Sequence, residues 1–180
     1  MPLIEAGFVR SPAREPLMWC AARPPRQTGG LRVEQIRSDA ERTEAVAIIA
    51  GAHVMAPEIA DRTLAPLAAL GDAVMAWLAY EGDEAISVVW ATPGPRIGIW
   101  SMMTPPEHRR KGAGRAVLTC ALEALWGSGT EGAFLFSTPA GRPFYEAVGF
   151  AAVDDATTWT SGASDEFLAA IGQPTAVADP

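Results

Sequence analysis

The stretch "EHRRKGAGRAVLTCALEALW", residues 107–126, decides how this sequence folds. It opens with positive charge, passes two glycines, and continues into a helical apolar stripe formed by Val117, Cys120, Ala121, Ala124 and Leu125. The positive charges are Arg109, Arg110, Lys111 and Arg115, which include the only lysine of the chain. Positive charge at a helix start opposes the helix macrodipole, so the arrangement is unfavourable unless an anion binds there. The sequence therefore predicts a local anion site where a long helix begins.

Strand-like runs surround this stretch on both sides. Residues 73–80, 85–92 and 96–104 are separated by short polar turns, which predict an antiparallel meander. Residues 132–138, "GAFLFST", form a continuous apolar run of the kind found in a strand buried on both faces. Because a helix connects 96–104 to 132–138, we expect these two strands to be parallel. The pattern indicates an α+β fold with a mixed sheet.

The rest of the chain divides into three segments. Residues 1–30 are expected to form an extended N-terminal arm with a short strand at 17–21, residues 31–162 the main domain, and residues 163–180 a flexible tail. The other predicted elements of the main domain are a strand beginning at Leu31, a helix over 40–54 capped by Ser38 or Asp39, a second helix over 56–70, a short helix over 142–148 ended by Gly149, and one or two strands within 150–160.

Composition limits the classes of function. The 180 residues are 49% hydrophobic and carry a formal net charge of -7, which favours one globular domain and argues against a general nucleic-acid or anionic-membrane surface. Cys20 and Cys120 have no metal-ligand spacing, so we expect buried, reduced thiols and no metal site. The N-terminus lacks the pattern of a secretory signal, and no apolar run is long enough to span a membrane. A cytoplasmic protein is expected.

Three known phosphate-binding patterns can be compared with the glycine-containing stretch. A Walker A loop does not fit, and the dinucleotide fingerprint fails because Val117 stands at its third glycine. The pattern [QR]-x-x-G-x-[GA] is satisfied by residues 109–114, and here the chain resembles the GNAT superfamily of acyl-CoA-dependent N-acyltransferases. A second segment, "GRPFYEAVGF" at 141–150, is similar to the aromatic-Tyr-Glu-x-x-Gly-Phe signature of that family. The resemblance covers residues 31 to 160.

The resemblance implies a fold and a cofactor site. It implies a mixed, mostly antiparallel central sheet with flanking helices, splayed between strands 4 and 5, which are 96–104 and 132–138 when counted from Leu31. Acetyl-CoA would be the co-substrate, with its pyrophosphate held by Arg109, Arg110, Lys111, Gly112, Ala113, Gly114 and Arg115. The main chain of Met102, Met103 and Thr104 would pair with the pantetheine arm. Thr138 stands where many members carry an asparagine, and its hydroxyl would bind the cofactor.

The implied reaction is transfer of an acetyl group to a primary amine by direct attack in a ternary complex. Tyr145 matches the position that commonly protonates the leaving thiolate, and an N–H near Met103 or Thr104 suits the oxyanion. The strand at 97–104 carries no Asp, Glu or His, which leaves His53 and Glu58 as candidate bases. The acceptor would be a small-molecule or protein amine, with no nucleic acid or membrane partner, and a homodimer is allowed. A non-catalytic acyl-CoA-binding module remains the alternative.

Overall fold

The computed structural model describes residues 2–53 and 70–161 of the chain. Within these ranges seven strands form one sheet. The strands are β1 (Phe8–Cys20), β2 (Arg32–Gln35), β3 (Met75–Glu81), β4 (Glu84–Thr92), β5 (Arg96–Met103), β6 (Gly132–Phe136) and β7 (Ala151–Ser161). Strands β2 to β5 pair antiparallel in chain order, which confirms the predicted meander. The second helix predicted over 56–70 and the tail lie outside the described residues, apart from residue 70.

Four helices are described: α1 (Pro2–Glu5), α2 (Asp39–His53), α3 (Ala113–Leu125) and α4 (Arg142–Val148). A capping box begins α2, because the Glu41 main-chain N–H donates to Ser38 Oγ at 3.3 Å and the Glu41 carboxylate accepts from the Ser38 N–H at 2.8 Å. Of the two predicted caps, Ser38 is therefore the one used. Helix α4 ends at Gly149, whose φ of 116° is readily adopted only by glycine.

The sheet opens between β5 and β6. These strands are parallel, as predicted, and their register runs only from Arg96 opposite Gly132 to Gly98 opposite Phe134. Beyond Gly98 the two strands separate, which confirms the expected splay between strands 4 and 5. The fold class is therefore α+β, with a mostly antiparallel sheet, one parallel pair and flanking helices.

The N-terminal segment differs from the expectation of an extended arm. Strand β1 covers thirteen residues instead of the short run at 17–21, and it lies inside the sheet between β6 and β7. It pairs antiparallel with both neighbours, for example with Met18 opposite Leu135 and also opposite Ala152. Its apolar side chains explain the difference, since Met18 is fully buried and Cys20 nearly so. Cys20 and Cys120 are both buried and free, as expected.

Each face of the sheet is covered by a different helix. Helix α3 packs against one face, in a core that includes Ile97, Ile99, Ala133 and Leu135. Helix α2 packs against the other face, around Leu78, Val88 and Trp90. The expectation that strand β6 is buried on both faces is wrong in part: Leu135 is buried beside α3, whereas Phe136, which points the other way, is 42% exposed.

Candidate active site

A cavity of about 720 Å³ occupies the opening between the diverging ends of β5 and β6. It brings the two sequence signatures together, because the loop before α3 lines one side and helix α4 the other. The predicted site residues that line it are Met102, Met103, Thr104, Arg109, Arg110, Gly112, Ala113, Gly114, Arg115, Thr138 and Tyr145. Among the predicted catalytic residue and cofactor-binding residues, all of which the structure describes, only Lys111 does not line the cavity.

A β-bulge shapes the β5 wall of the cavity. Val88 pairs with Met103 and Trp90 with Trp100, so that Ser101 and Met102 together lie opposite Val89. Ser101 adopts a left-handed φ of 43°, a conformation that is unfavourable for a residue with a side chain and is common near functional sites. The bulge lies where β6 has left β5, so the β6-side edge of the main chain there faces the cavity, while the other edge stays paired with β4.

The carbonyl groups at the end of β5 have partners within the chain. Ser87 Oγ donates to the Met103 carbonyl oxygen at 2.9 Å and lies 2.8 Å from Thr104 Oγ1. Arg109 Nε donates to the Thr104 carbonyl oxygen at 3.0 Å. These contacts fix the position of the strand end relative to the loop. The predicted pairing of this segment with a pantetheine arm stays a prediction.

The loop before α3 curves tightly at two residues. Arg110 has a φ of 66° and Gly112, the N-cap of α3, a φ of 84°. No side chain caps the helix, and the first N–H groups of a helix have no intrahelical acceptor. Left-handed turns of this kind make successive N–H groups converge into an anion-binding concavity. The geometry is therefore suited to the phosphate group that the sequence predicts here.

The cations of the loop have different surroundings. Arg115 Nη1 donates to Gln27 Oε1 at 3.2 Å and remains at the cavity wall. Lys111 Nζ is held by Glu81 Oε2 at 2.6 Å, and the same hydrogen bond lowers the pKa of the Glu81 carboxyl. Both side chains of that pair are more than two-fifths exposed, so solvent screens the attraction. Lys111 could reach a phosphate only by leaving Glu81.

Tyr145 lies on α4 and faces the cavity from the α3 side of the sheet. Its ring packs edge-on against Phe144 at 5.1 Å and Phe150 at 6.0 Å between ring centroids. Burial raises the pKa of the Tyr145 phenol to about 12. The hydroxyl therefore carries its proton throughout the neutral pH range, as a general acid must.

Thr138 has a structural hydrogen bond in addition to its place in the cavity. Its Oγ1 accepts the Gly141 N–H at 3.0 Å in the turn that leads into α4. The hydroxyl proton is not used in that bond and is free to be donated to an acceptor. A cofactor contact of Thr138 stays a prediction, with the hydroxyl as donor.

Two buried polar atoms in the cavity wall lack a hydrogen-bond partner. They are His108 Nδ1 and Ser137 Oγ; only Trp90 Nε1 shares this property in the described part of the chain. Ser137 is 2% exposed, and His108 Nε2 lies 3.4 Å from Glu84 Oε1. An unpaired buried hydroxyl costs about 1–3 kcal/mol, a cost that a ligand with polar groups would remove. Sequence reasoning missed both residues, because neither belongs to a motif.

The candidate bases cannot be placed in this site. The side chain of His53 and the whole of Glu58 lie outside the described residues. Among the cavity-lining residues that the structure describes, none is a carboxylate. The described ranges also contain no group of three His, Cys, Asp or Glu residues that could hold a metal ion. No helix within them is long and apolar enough to cross a membrane.

Solved structures with this fold include several acetyltransferases. A GCN5-related N-acetyltransferase from Kribbella flavida is 18% identical, with a TM-score of 0.65 over 90% of this chain and 63% of that one. Glucosamine-6-phosphate N-acetyltransferase from Arabidopsis thaliana is 13% identical, with a TM-score of 0.56 over 69% of this chain and 93% of that one. An aminoglycoside acetyltransferase from an uncultured soil sample is 18% identical, with a TM-score of 0.54 over 67% and 91%.

These likenesses show the fold, and the chain spans less than two thirds of the length of the Kribbella protein. A search of curated protein sequences finds no match. The sequence model of the acetyltransferase (GNAT) domain matches residues 72–152, which include β3 to β6, α3 and α4. The matched residues contain both signatures and the walls of the cavity. Residues 72–152 are therefore similar in sequence to the acetyltransferase (GNAT) domain, and the fold of the chain agrees with that similarity.

Proposed function

We propose that this protein transfers an acetyl group from acetyl-CoA to a primary amine. The observation that carries the proposal is the cavity between β5 and β6, which joins an uncapped helix N-terminus to a protonated tyrosine. The helix start suits the phosphates of coenzyme A, and the tyrosine suits its sulfur. An acyl group held between the helix start and the tyrosine would lie in the gap between β5 and β6, which opens to both faces of the sheet.

Coenzyme A would bind along the opened edge of β5. Its pyrophosphate would accept hydrogen bonds from the main-chain N–H groups of Ala113, Gly114 and Arg115, with further charge from Arg109 and Arg110. The pantetheine arm would follow the bulged segment at Ser101, whose β6-side edge is not paired with a strand. The unpaired Ser137 hydroxyl lies in the opposite wall and would bind a polar group of the arm.

The reaction would proceed by direct attack. The neutral amine nitrogen forms a bond to the thioester carbonyl carbon, and the carbonyl oxygen takes the negative charge. A main-chain N–H at Met103 or Thr104 would stabilise that oxyanion. Collapse breaks the carbon–sulfur bond, and the Tyr145 hydroxyl gives its proton to the departing thiolate. The attacking nitrogen, which became positively charged on bond formation, loses one proton, and that proton restores the Tyr145 hydroxyl. The products are an N-acetylated amine and free coenzyme A, with no covalent enzyme intermediate.

The amine would have to lose one proton before attack. The described cavity wall offers cations and apolar groups, which disfavour an ammonium ion and shift the acceptor towards its neutral form. The proton would then leave to solvent. This environment suits a mechanism without a carboxylate base in the cavity.

A binding and turnover experiment tests the proposal. Acetyl-CoA should raise the Tm of the protein, because it binds only the folded state, and an amine panel should release free thiol from acetyl-CoA. Gly112→Asp places a carboxylate at the helix N-cap and should abolish the Tm shift. Gly129→Asp makes the same change of charge at an open loop glycine away from the cavity, and should keep the shift.

The outcomes of this experiment test two parts of the proposal: the role of the loop before α3 and the presence of catalysis. A Tm shift that survives in Gly112→Asp would overturn the assignment of the loop. Binding of acetyl-CoA without acetylation of any small-molecule or peptide amine would favour the acyl-CoA-binding module over the enzyme.

A further inference from the structure

Three aromatic rings meet on the sheet face opposite α3, and we refer to Trp100, Phe134 and Phe136 as the aromatic platform. The ring of Trp100 lies 5.6 Å from that of Phe134, at right angles, and 6.4 Å from that of Phe136. Phe134 and Phe136 are also 6.4 Å apart and nearly perpendicular. Distances and angles of this kind are those of interacting aromatic pairs, so the three side chains form one cluster.

The position of Trp100 depends on a glycine. A Cβ atom on Gly98 would lie 2.6 Å from Thr92 Oγ1 and 2.8 Å from Trp100 Nε1, so the indole lies across Gly98. Trp100 Nε1 also donates to Thr92 Oγ1 at 3.1 Å, which fixes the orientation of the ring. On the neighbouring strand, Trp19 lies across Gly132 in the same way. The aromatic surface is therefore held in a defined geometry by paired strands.

The platform is open to ligands and belongs to the cavity. Trp100 is 38% exposed and Phe136 is 42% exposed, although burial would be favourable for both rings. Both also line the cavity that contains Tyr145. Trp100 is paired with Trp90 on the α2 side of the sheet, whereas Tyr145 packs on the α3 side. A molecule on the platform would thus approach the acyl group from the face opposite Tyr145.

We infer that the aromatic platform binds the acceptor, a small primary amine carried on an aromatic or similarly flat apolar group. The inference rests on the proposed function and adds the substrate class. Rings of the acceptor would pack against Trp100 and Phe136, while its amine extends into the cavity. The described cavity wall has no carboxylate to pair with a polyamine or an amino sugar, so apolar contact is the recognition that the site offers.

The selectivity can be measured with two amines. Wild-type protein is assayed with 2-phenylethylamine and with ethanolamine, and kcat/KM is expressed per concentration of neutral amine, so that the amine pKa does not enter. Ethanolamine has no ring to contact the platform, so its kcat/KM should be about tenfold or more below that of 2-phenylethylamine. Equal use of both amines would overturn the inference, as would a peptide N-terminal amine that is used better than 2-phenylethylamine.

Three variants assign the selectivity to the platform. Trp100→Ala should lower kcat/KM for 2-phenylethylamine about tenfold and leave ethanolamine within about a factor of two. Phe136→Leu keeps an apolar side chain and should have a smaller effect in the same direction. Val153→Ala changes an exposed apolar residue of β7 outside the cavity and should change neither amine. An equal loss with both amines in Trp100→Ala would overturn the inference.

Two binding measurements separate this inference from the proposed function. Acetyl-CoA affinity of wild type and Trp100→Ala should agree within about a factor of two, since the Trp100 ring lies on the sheet face opposite Tyr145 and α3, where coenzyme A would bind. Saturation-transfer NMR should detect 2-phenylethylamine on wild type and not on Trp100→Ala, whether or not turnover occurs. If acetyl-CoA fails to bind wild type, the proposed function is overturned; if acetyl-CoA binds and 2-phenylethylamine does not, only the acceptor inference is overturned.

Discussion

Tyr145 packs edge-on against Phe144, with ring centroids 5.1 Å apart and ring planes at 74°. The contact fixes the phenol ring in the wall of the cavity. The same burial that positions the ring also raises the pKa of Tyr145. Burial of the Tyr145 ring therefore sets both its position and the pKa of its phenol. A substitution that keeps the ring and removes the hydroxyl separates the two.

Tyr145→Phe should lower kcat while leaving folding and acetyl-CoA affinity unchanged. The substitution removes only the hydroxyl, and general acid catalysis contributes about a hundredfold or more to a rate. Steady-state kinetics with a true acceptor and the Tm of the free protein give the two readouts. Turnover equal to that of wild type would show that the thiolate leaves without help from Tyr145.

Ser137→Ala should have opposite effects on the free protein and on the complex. Removal of a buried hydroxyl that has no partner should leave the Tm of the free protein equal or higher. Acetyl-CoA should then produce a smaller Tm shift than in wild type, because one hydrogen bond worth about 0.5–1.5 kcal/mol is lost. Thr119→Val is a comparison at a buried hydroxyl that is hydrogen-bonded within α3, and should lower the Tm. An unchanged ligand shift in Ser137→Ala would show that its hydroxyl does not contact acetyl-CoA.

Glu81→Gln should increase the affinity for acetyl-CoA a few-fold. The substitution removes the negative charge that holds Lys111 at 2.6 Å and lets the ammonium turn towards the phosphates. Because the pair is exposed, the effect should be small and should shrink as salt is added. Isothermal titration at two salt concentrations measures it. A gain of equal size in Glu81→Gln,Lys111→Met would show that Lys111 is not its source.

The loop and its helix could be predicted because their signals are local. Glycine at 112 and the run of cations mark a turn and an anion site at the sequence level, and the apolar period of α3 follows directly. The place of β1 could not be predicted in this way, since its partners in β6 and β7 are more than a hundred residues away. Residues 1–30 are rich in proline, a pattern typical of an arm, yet Leu17 to Cys20 complete the sheet.

The cavity wall also contains features that could not be predicted from the sequence. Ser137 and His108 lie beside recognised motifs, but only the folded packing shows that Ser137 Oγ and His108 Nδ1 lack partners. The aromatic platform has a weak sequence signal, the glycines at 98 and 132 within otherwise apolar strands. A glycine in a strand often marks close approach of another group, and here that group is an indole ring in both cases.

The pH dependence of kcat/KM should follow the acceptor rather than the enzyme. The described cavity wall has no carboxylate, so the neutral fraction of the amine sets the rate at low pH, and kcat/KM should rise until the pH reaches the amine pKa. No fall on the alkaline side should come from Tyr145, because its pKa is raised to about 12 and its proton stays in place. The measurement uses 2-phenylethylamine and benzylamine, two aromatic amines of different pKa, over the pH range in which the protein keeps its Tm. The inflection of the pH profile should move with the pKa of the amine. An inflection fixed at one pH for both amines would reveal an enzyme base. His53, Glu58 and His108 would then be substituted in turn to identify it.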